Sequence, residues 1–221
     1  MWWDMAPAAR PEFEHWHAHE HFPERLAIPG FLRASRWTEA DGGEGIFVMY
    51  ELTGHEVLAS PAYAARLNSP TPWSVRMMPH HRQMVRSQCR VLSSAGALTA
   101  RQALTVRLSP APGRDAALRE GLQALGRRLA AEPGIVGLHL LRHEAPPLAT
   151  TEEQRVRGLS DQVADWVLVA CAYDTARLQE LAGKELGDAA LAALGAQAGA
   201  VRGRYALACS ATPQDMAPGG D

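Results

Sequence analysis

The chain has 221 residues, with 22 Lys+Arg against 24 Asp+Glu and a formal net charge of −2. That length admits one large domain or two small ones with a real core. The evenly spread charge excludes both the basic stripe of a nucleic-acid binder and an acidic interaction tail. Apolar runs such as WVLVACAY at 166–173 are strand-length, far short of a membrane span. The N-terminal MWWDMAPAARPEFE has neither the basic head nor the long apolar centre of a secretory leader. Cys89, Cys171 and Cys209 sit in apolar strand-like runs without a close pair, which reads as buried structural thiols. These features predict a soluble, cytoplasmic globular protein with no nucleic-acid or membrane partner.

In chain order, WWDMA (2–6) predicts a first strand. A helix follows from Pro11, a residue suited to a helix start, to Phe22. In LAIPGFLRASRW (26–37) a Pro-Gly pair ends the helical run and opens a strand, since Pro cannot continue a helix and Gly tolerates the left-handed turn. GIFVMYELTG (45–54) is a strand closing on Tyr plus an acid before a helix-like run. Residues 60–86, with Pro61, Pro70, Pro72 and Pro79, predict an irregular connection long enough to be a lid or pocket wall. VRSQCRVL (85–92) supplies the last strand of this half.

The second half repeats the order. ALTVRLS (103–109) is a strand, and residues 114–131 form a helix with Leu118, Leu122, Leu125 and Leu129 at helical spacing. The next Pro-Gly, in LAAEPGIVGLHLLRHE (129–144), again opens a strand. The insertion 145–165 carries a capping-box pattern from Thr150 to Glu153 and predicts a short surface helix serving solubility or dimer contacts. WVLVACAYDTAR (166–177) and RGRYALACS (202–210) complete the set, and the tail after Thr212 reads as disordered. Each half therefore reads strand, helix, strand, strand, helix, strand. The prediction is an α+β fold of two tandem ferredoxin-like βαββαβ repeats with antiparallel sheets, placed face to face. The repeats span 1–97, which holds the candidate site, and 98–212; 213–221 is the tail.

The order of elements and the run W-x-x-x-E-H-x-P-E-R-L-x-x-P-G-F (Trp16, Glu20, His21, Pro23 to Leu26, Pro29 to Phe31) resemble the dimeric α/β-barrel superfamily. Within it, the chain is similar to the EthD-like and stress-responsive α/β-barrel proteins, in a tandem two-repeat form, over residues 2–210. The resemblance implies a homodimer acting on a small molecule. That superfamily includes cofactor-free monooxygenases, lactone isomerases, polyketide cyclases, and haem-dependent peroxidases and dehydratases, so fold alone does not name a reaction.

The densest chemistry lies at EHWHAHEH, residues 14–21, where His15, His17, His19 and His21 alternate. Histidine titrates near neutrality, so such a run suits proton transfer, metal ligation or a pH response. At about 100° per residue, His17 and His21 share one helix side and His15 and His19 the other. Phe13, Trp16, His17 and Glu20 follow a single stripe. The expected site makes His21 and Glu20 a general acid/base pair, with His17 beside them and Arg25 as an oxyanion partner. Phe13 and Trp16 wall an apolar pocket, Trp73 and Arg76 close over a ligand, and Arg86 meets an anionic substrate group. His15, His19, His80 and His81 read as solvated. His139 and His143 share a strand face that lines the cavity or meets a partner subunit. The second-half helix carries no histidine, so the fold does not demand the cluster.

An i,i+4 His pair plus a carboxylate is a partial zinc or iron ligand set, but it lacks the HExxH form and a third ligand. No organic cofactor or metal is required. The expected activity is acid/base chemistry of isomerase, cyclase, lyase or cofactor-free monooxygenase type on a small apolar carbonyl or aromatic compound. The alternatives are a non-catalytic ligand-binding or stress-responsive barrel protein, and a haem- or metal-dependent enzyme using a first-half histidine.

Overall fold

The computed structural model describes residues 1–158 and 161–216. β1 (Trp2–Asp4) leads into a helical rod of three parts: α1 (Arg10–Trp16), a π-helical turn (His17–His21) and α2 (Phe22–Leu26). The rod runs past the expected end at Phe22. The Phe22 amide donates to the His17 carbonyl, five residues back. Pro23 in a regular helix would meet the carbonyl four residues back, and the wider turn just before it accommodates the ring. β2 (Phe31–Glu39) and β3 (Gly45–Leu52) form the next hairpin. The expected irregular connection at 60–86 is instead largely helical, with α3 (Pro61–Leu67), α4 (Pro72–Met77) and a 3-10 turn at Met78–His80. Ser60 and Thr71 cap α3 and α4, accepting from the Tyr63 and Ser74 amides, so these prolines start helices rather than prevent them.

β4 (Arg82–Val85), β5 (Cys89–Gly96), β6 (Gln102–Leu108), α5 (Asp115–Leu129) and β7 (Ile135–His143) follow. In the insertion, α6 (Glu152–Val156) carries its capping box on Thr151 and Gln154, one residue later than expected. β8 (Trp166–Ala172), α7 (Thr175–Gly183), α8 (Asp188–Leu194) and β9 (Val201–Ala211) complete the fold. Pro213–Met216 forms a 3-10 turn where disorder was expected, and the rest of that expected tail, 217–221, lies outside the described residues.

The strands join one nine-stranded antiparallel sheet in the order β4-β1-β3-β2-β9-β6-β8-β7-β5. The two halves do not stack as separate sheets. β2 pairs directly with β9, from Ala34↔Ala211 to Glu39↔Tyr205, and fuses them edge to edge. β4 and β5 lie at opposite edges yet are consecutive, linked by residues 86–88. Such a link spans at most about 14 Å, so the sheet curls until its edges approach and encloses an interior.

Alternation along the strands then divides the core. Trp2, Phe47, Val167, Val169, Cys171 and Tyr205 face inward and form one cluster that draws on both halves. Trp2 Nε1 donates to Thr105 Oγ1 at 3.1 Å, tying the first strand of one half to the first strand of the other. The opposite faces pack beneath the helices. Trp3, Ile46 and Val48 lie with Phe13, Trp16 and Phe22, whereas Leu104, Val106 and Leu168 lie with Leu118 and Leu122. Both Pro-Gly turns use a left-handed glycine, Gly30 at φ +97° and Gly134 at φ +92°. A Cβ on Gly30 would stand 2.5 Å from Val57 Cγ2, so that turn has no room for a side chain.

Candidate functional site

A cavity of about 570 Å³ opens through a gap in the barrel wall. β1 covers β3 only from Gly45 to Phe47, and Val48 adds two bonds to Met1, its amide donating to the Met1 carbonyl and its carbonyl accepting from the Met1 amino group. The rest of β3, Met49 to Leu52, has no strand on that side. The space under α1 and α2 therefore connects with the barrel interior, and the cavity is lined both by His17, His21 and Arg25 and by Phe47, His139 and Val169.

The π turn sets the histidines. His17 and His21 are buried on one side, with ring centroids 5.2 Å apart, while His15 and His19 lie outside with theirs 4.4 Å apart. The expected division into two opposed pairs thus holds in space. Trp16 lies 4.5 Å from the His21 ring and Phe22 4.3 Å from the His17 ring, which fixes both imidazoles by packing. Nδ1 of each is buried without a hydrogen-bond partner. Trp3 Nε1, the Tyr50 hydroxyl and Arg25 Nη1 share that condition. Buried polar atoms are normally satisfied, so this many around one cavity leave it ready to hydrogen-bond a polar ligand or water.

His81 joins the group. It was expected in solvent, yet its ring lies 4.7 Å from Trp3, and neither ring nitrogen has a partner. Two buried methionines, Met77 and Met78, precede it and turn this end of the connection inward.

Burial dominates the electrostatics. It drives His17 and His21 well below the usual imidazole pKa, with Arg36 acting further on His17 and Arg25 on His21. Burial pushes His81 down to about 3 and the Tyr50 phenol up. At neutral pH the site therefore holds three neutral imidazoles and a protonated phenol. Arg25 remains a cation: burial opposes its charge most, but Glu153 of α6, which binds its Nη2, together with Tyr50 and Tyr63 more than offsets that cost. Glu153 is itself buried and faces Arg157, which pairs with Asp161 at 2.8 Å. α6 is therefore a wall of the site, not the surface helix expected.

The structure brings His17, His21, Arg25 and Arg86 to the cavity. Glu20 is elsewhere. Its Oε1 accepts from Trp16 Nε1 at 3.0 Å and from Thr71 Oγ1 at 2.5 Å, tying the rod to the start of α4. The expected Glu20–His21 acid/base pair is thus not assembled. Phe13 and Trp16 are fully buried behind the histidines and support them without lining the space. Trp73 is also outside, with Nε1 donating to Glu12 at 3.2 Å and its ring 5.3 Å from His15. His139 does line the cavity; Ser94 Oγ lies 2.7 Å from its Nδ1 and the Ala97 carbonyl 3.1 Å from its Nε2. His143 instead bonds the Gln88 backbone. Tyr50 and Trp3 escape a search for charged motifs, although half-buried Tyr50 falls at strand period on the face of buried Ile46 and Val48. Among the described residues, no group of three His, Cys, Asp or Glu side chains is placed to hold a metal ion.

No protein-family model and no curated protein sequence matches this chain. Solved structures do. An anthrone oxidase-like protein is similar at a TM-score of 0.60 and 14% identity, covering 99% of this chain and 94% of its own. A Fusobacterium nucleatum protein provisionally named a monooxygenase gives 0.59 and 9%, over 96% of this chain and 91% of that one. Another so named, from Lactobacillus acidophilus, gives 0.53 and 10%, over 96% and 93%. The chain therefore shares the mixed α+β fold of these structures.

Proposed function

We propose that this protein is a small-molecule enzyme that removes a proton from an aromatic compound activated by a carbonyl or phenol, of the cofactor-free monooxygenase type. The reading rests chiefly on the unpartnered polar atoms of His17, His21, Arg25 and Tyr50 around one largely apolar cavity. The names of the structural neighbours favour oxygenation over isomerisation or elimination. The two groups of four strands are read as tandem copies, because β4-β1-β3-β2 and β9-β6-β8-β7 repeat one pairing order. One chain then supplies both halves of the barrel.

His21 takes the substrate proton on a ring nitrogen, with His17 beside it. Burial that disfavours a lone imidazolium is offset once an enolate forms in contact with it. Arg25 Nη1 and the Tyr50 hydroxyl donate to the enolate oxygen, preorganised where charge develops. The carbanion then reacts with dioxygen: a methylene and O₂ give a carbonyl and water, so no external reductant is needed.

Oxygen uptake with anthrone tests the reading. The protein should accelerate uptake above the spontaneous rate, and His21→Ala should lose about 10²-fold or more. No acceleration with anthrone, and none with a panel of phenols and diketones, overturns it. A Soret band or stoichiometric iron in the purified protein would move the role to haem or metal. Glu20→Ala is the control. It should keep the rate within about threefold while costing about 1–3 kcal/mol of stability in urea denaturation, since the Trp16 and Thr71 donors lose their acceptor.

A further inference from the structure

Four arginines line the cavity: Arg25, Arg86, Arg90 and Arg157. Three are spoken for. Arg25 pairs with Glu153, Arg90 with Glu144 and Arg157 with Asp161. Arg86, in the link between β4 and β5, pairs with no carboxylate among the described residues. Its Nη2 donates instead to the Tyr63 hydroxyl at 2.9 Å, a contact that positions the guanidinium without neutralising it. The Tyr50 phenol lines the same cavity and feels the charges of both Arg25 and Arg86. Phe31 stands 5.6 Å from the Tyr50 ring and 5.7 Å from the Tyr63 ring and supplies an aromatic wall over the same stretch.

We propose that Arg86, held by Tyr63 and flanked by the unpartnered Tyr50 hydroxyl, is a carboxylate-binding subsite, and that the substrate is an aromatic carbonyl compound bearing a carboxylate. The proposal rests on this cavity being the substrate site. A cation beside apolar walls, with no protein anion to satisfy it, selects a ligand that brings the anion itself. The planar guanidinium fork matches a carboxylate in a way that a point charge does not. The acid group at Arg86 then orients the ring system so that its activated carbon faces His21.

Isothermal titration of the whole chain with 2-naphthoate and 2-naphthamide tests this, because the two share a ring and differ in charge. The parent should bind naphthoate about tenfold or more tightly than the amide. Arg86→Gln should bring the two to near parity by weakening naphthoate far more than the amide, and an unchanged urea midpoint shows that the chain still folds. Arg86→Lys should recover part of the preference. Equal affinities in the parent, or a preference that survives Arg86→Gln, overturn the subsite. A preference confirmed with no acceleration of oxygen uptake on anthrone or on the phenol and diketone panel supports the subsite and counts against the catalytic reading alone.

Discussion

Lowering the pH from 7 to 5 is expected to remove about 2 kcal/mol of stability through His81 alone, with His17 and His21 adding to the loss. The source is His17, His21 and His81. In the fold all three are neutral, with pKa values depressed first by burial. Arg36, Arg25 and Arg157 face them and further oppose protonation. Unfolded, each would titrate near 6.5. The unfolded state therefore binds more protons below 6.5, so the stabilisation is complete above that pH and is lost as pH falls. Each histidine withdraws about 1.4 kcal/mol per pH unit below 6.5, down to its own folded pKa. For His81 that window extends to about pH 3. Urea midpoints at pH 7.5, 6 and 5 measure the slope directly. His81→Phe, which keeps a ring against Trp3 and Phe13, should make the slope shallower. A flat profile from 7 to 5 would show that the three rings are not buried in neutral form.

This sensitivity was half legible in the sequence. Four-residue spacing brings His17 beside His21 in an α-helix, and the π turn preserves the pairing, so the run divides correctly without knowledge of its detailed geometry. The Pro-Gly punctuation at Pro29-Gly30 and Pro133-Gly134 was equally readable, because the left-handed glycine it needs is a local requirement. What escaped were partners distant in sequence. Glu20 sits on the right stripe for the site, but Thr71, 51 residues on, claims its carboxylate. Glu153 belongs to a short capped helix rich in charge, which reads as surface until Arg25, 128 residues earlier, is found against it. His81 follows a run of prolines and looks like loop. The β2–β9 pairing that fuses the halves leaves no periodicity to detect, since each strand reads the same whether its edge is free or covered.

Glu153→Gln is expected to cost about 3–5 kcal/mol, because it leaves the Arg25 cation buried without a counter-charge. Arg25 is 4% exposed and Glu153 likewise 4%, so water cannot replace the lost partner. Arg157 loses a neighbour as well, although Asp161 still holds it. The pair is not needed for packing as such. Replacing both members with apolar side chains, as in Arg25→Met with Glu153→Leu, removes two desolvated charges together and should restore most of the stability. That double variant then isolates function. It should fold and keep the cavity, yet lose about 10²-fold or more in anthrone oxidation, because no cation remains to meet the enolate oxygen. Urea denaturation of the parent, both single variants and the double variant gives the coupling energy, and oxygen uptake on the same four proteins gives the rate. A Glu153→Gln protein within about 1 kcal/mol of the parent would show that the pair is solvated. A folded double variant with full activity would remove Arg25 from the mechanism and leave proton transfer to the histidines and Tyr50.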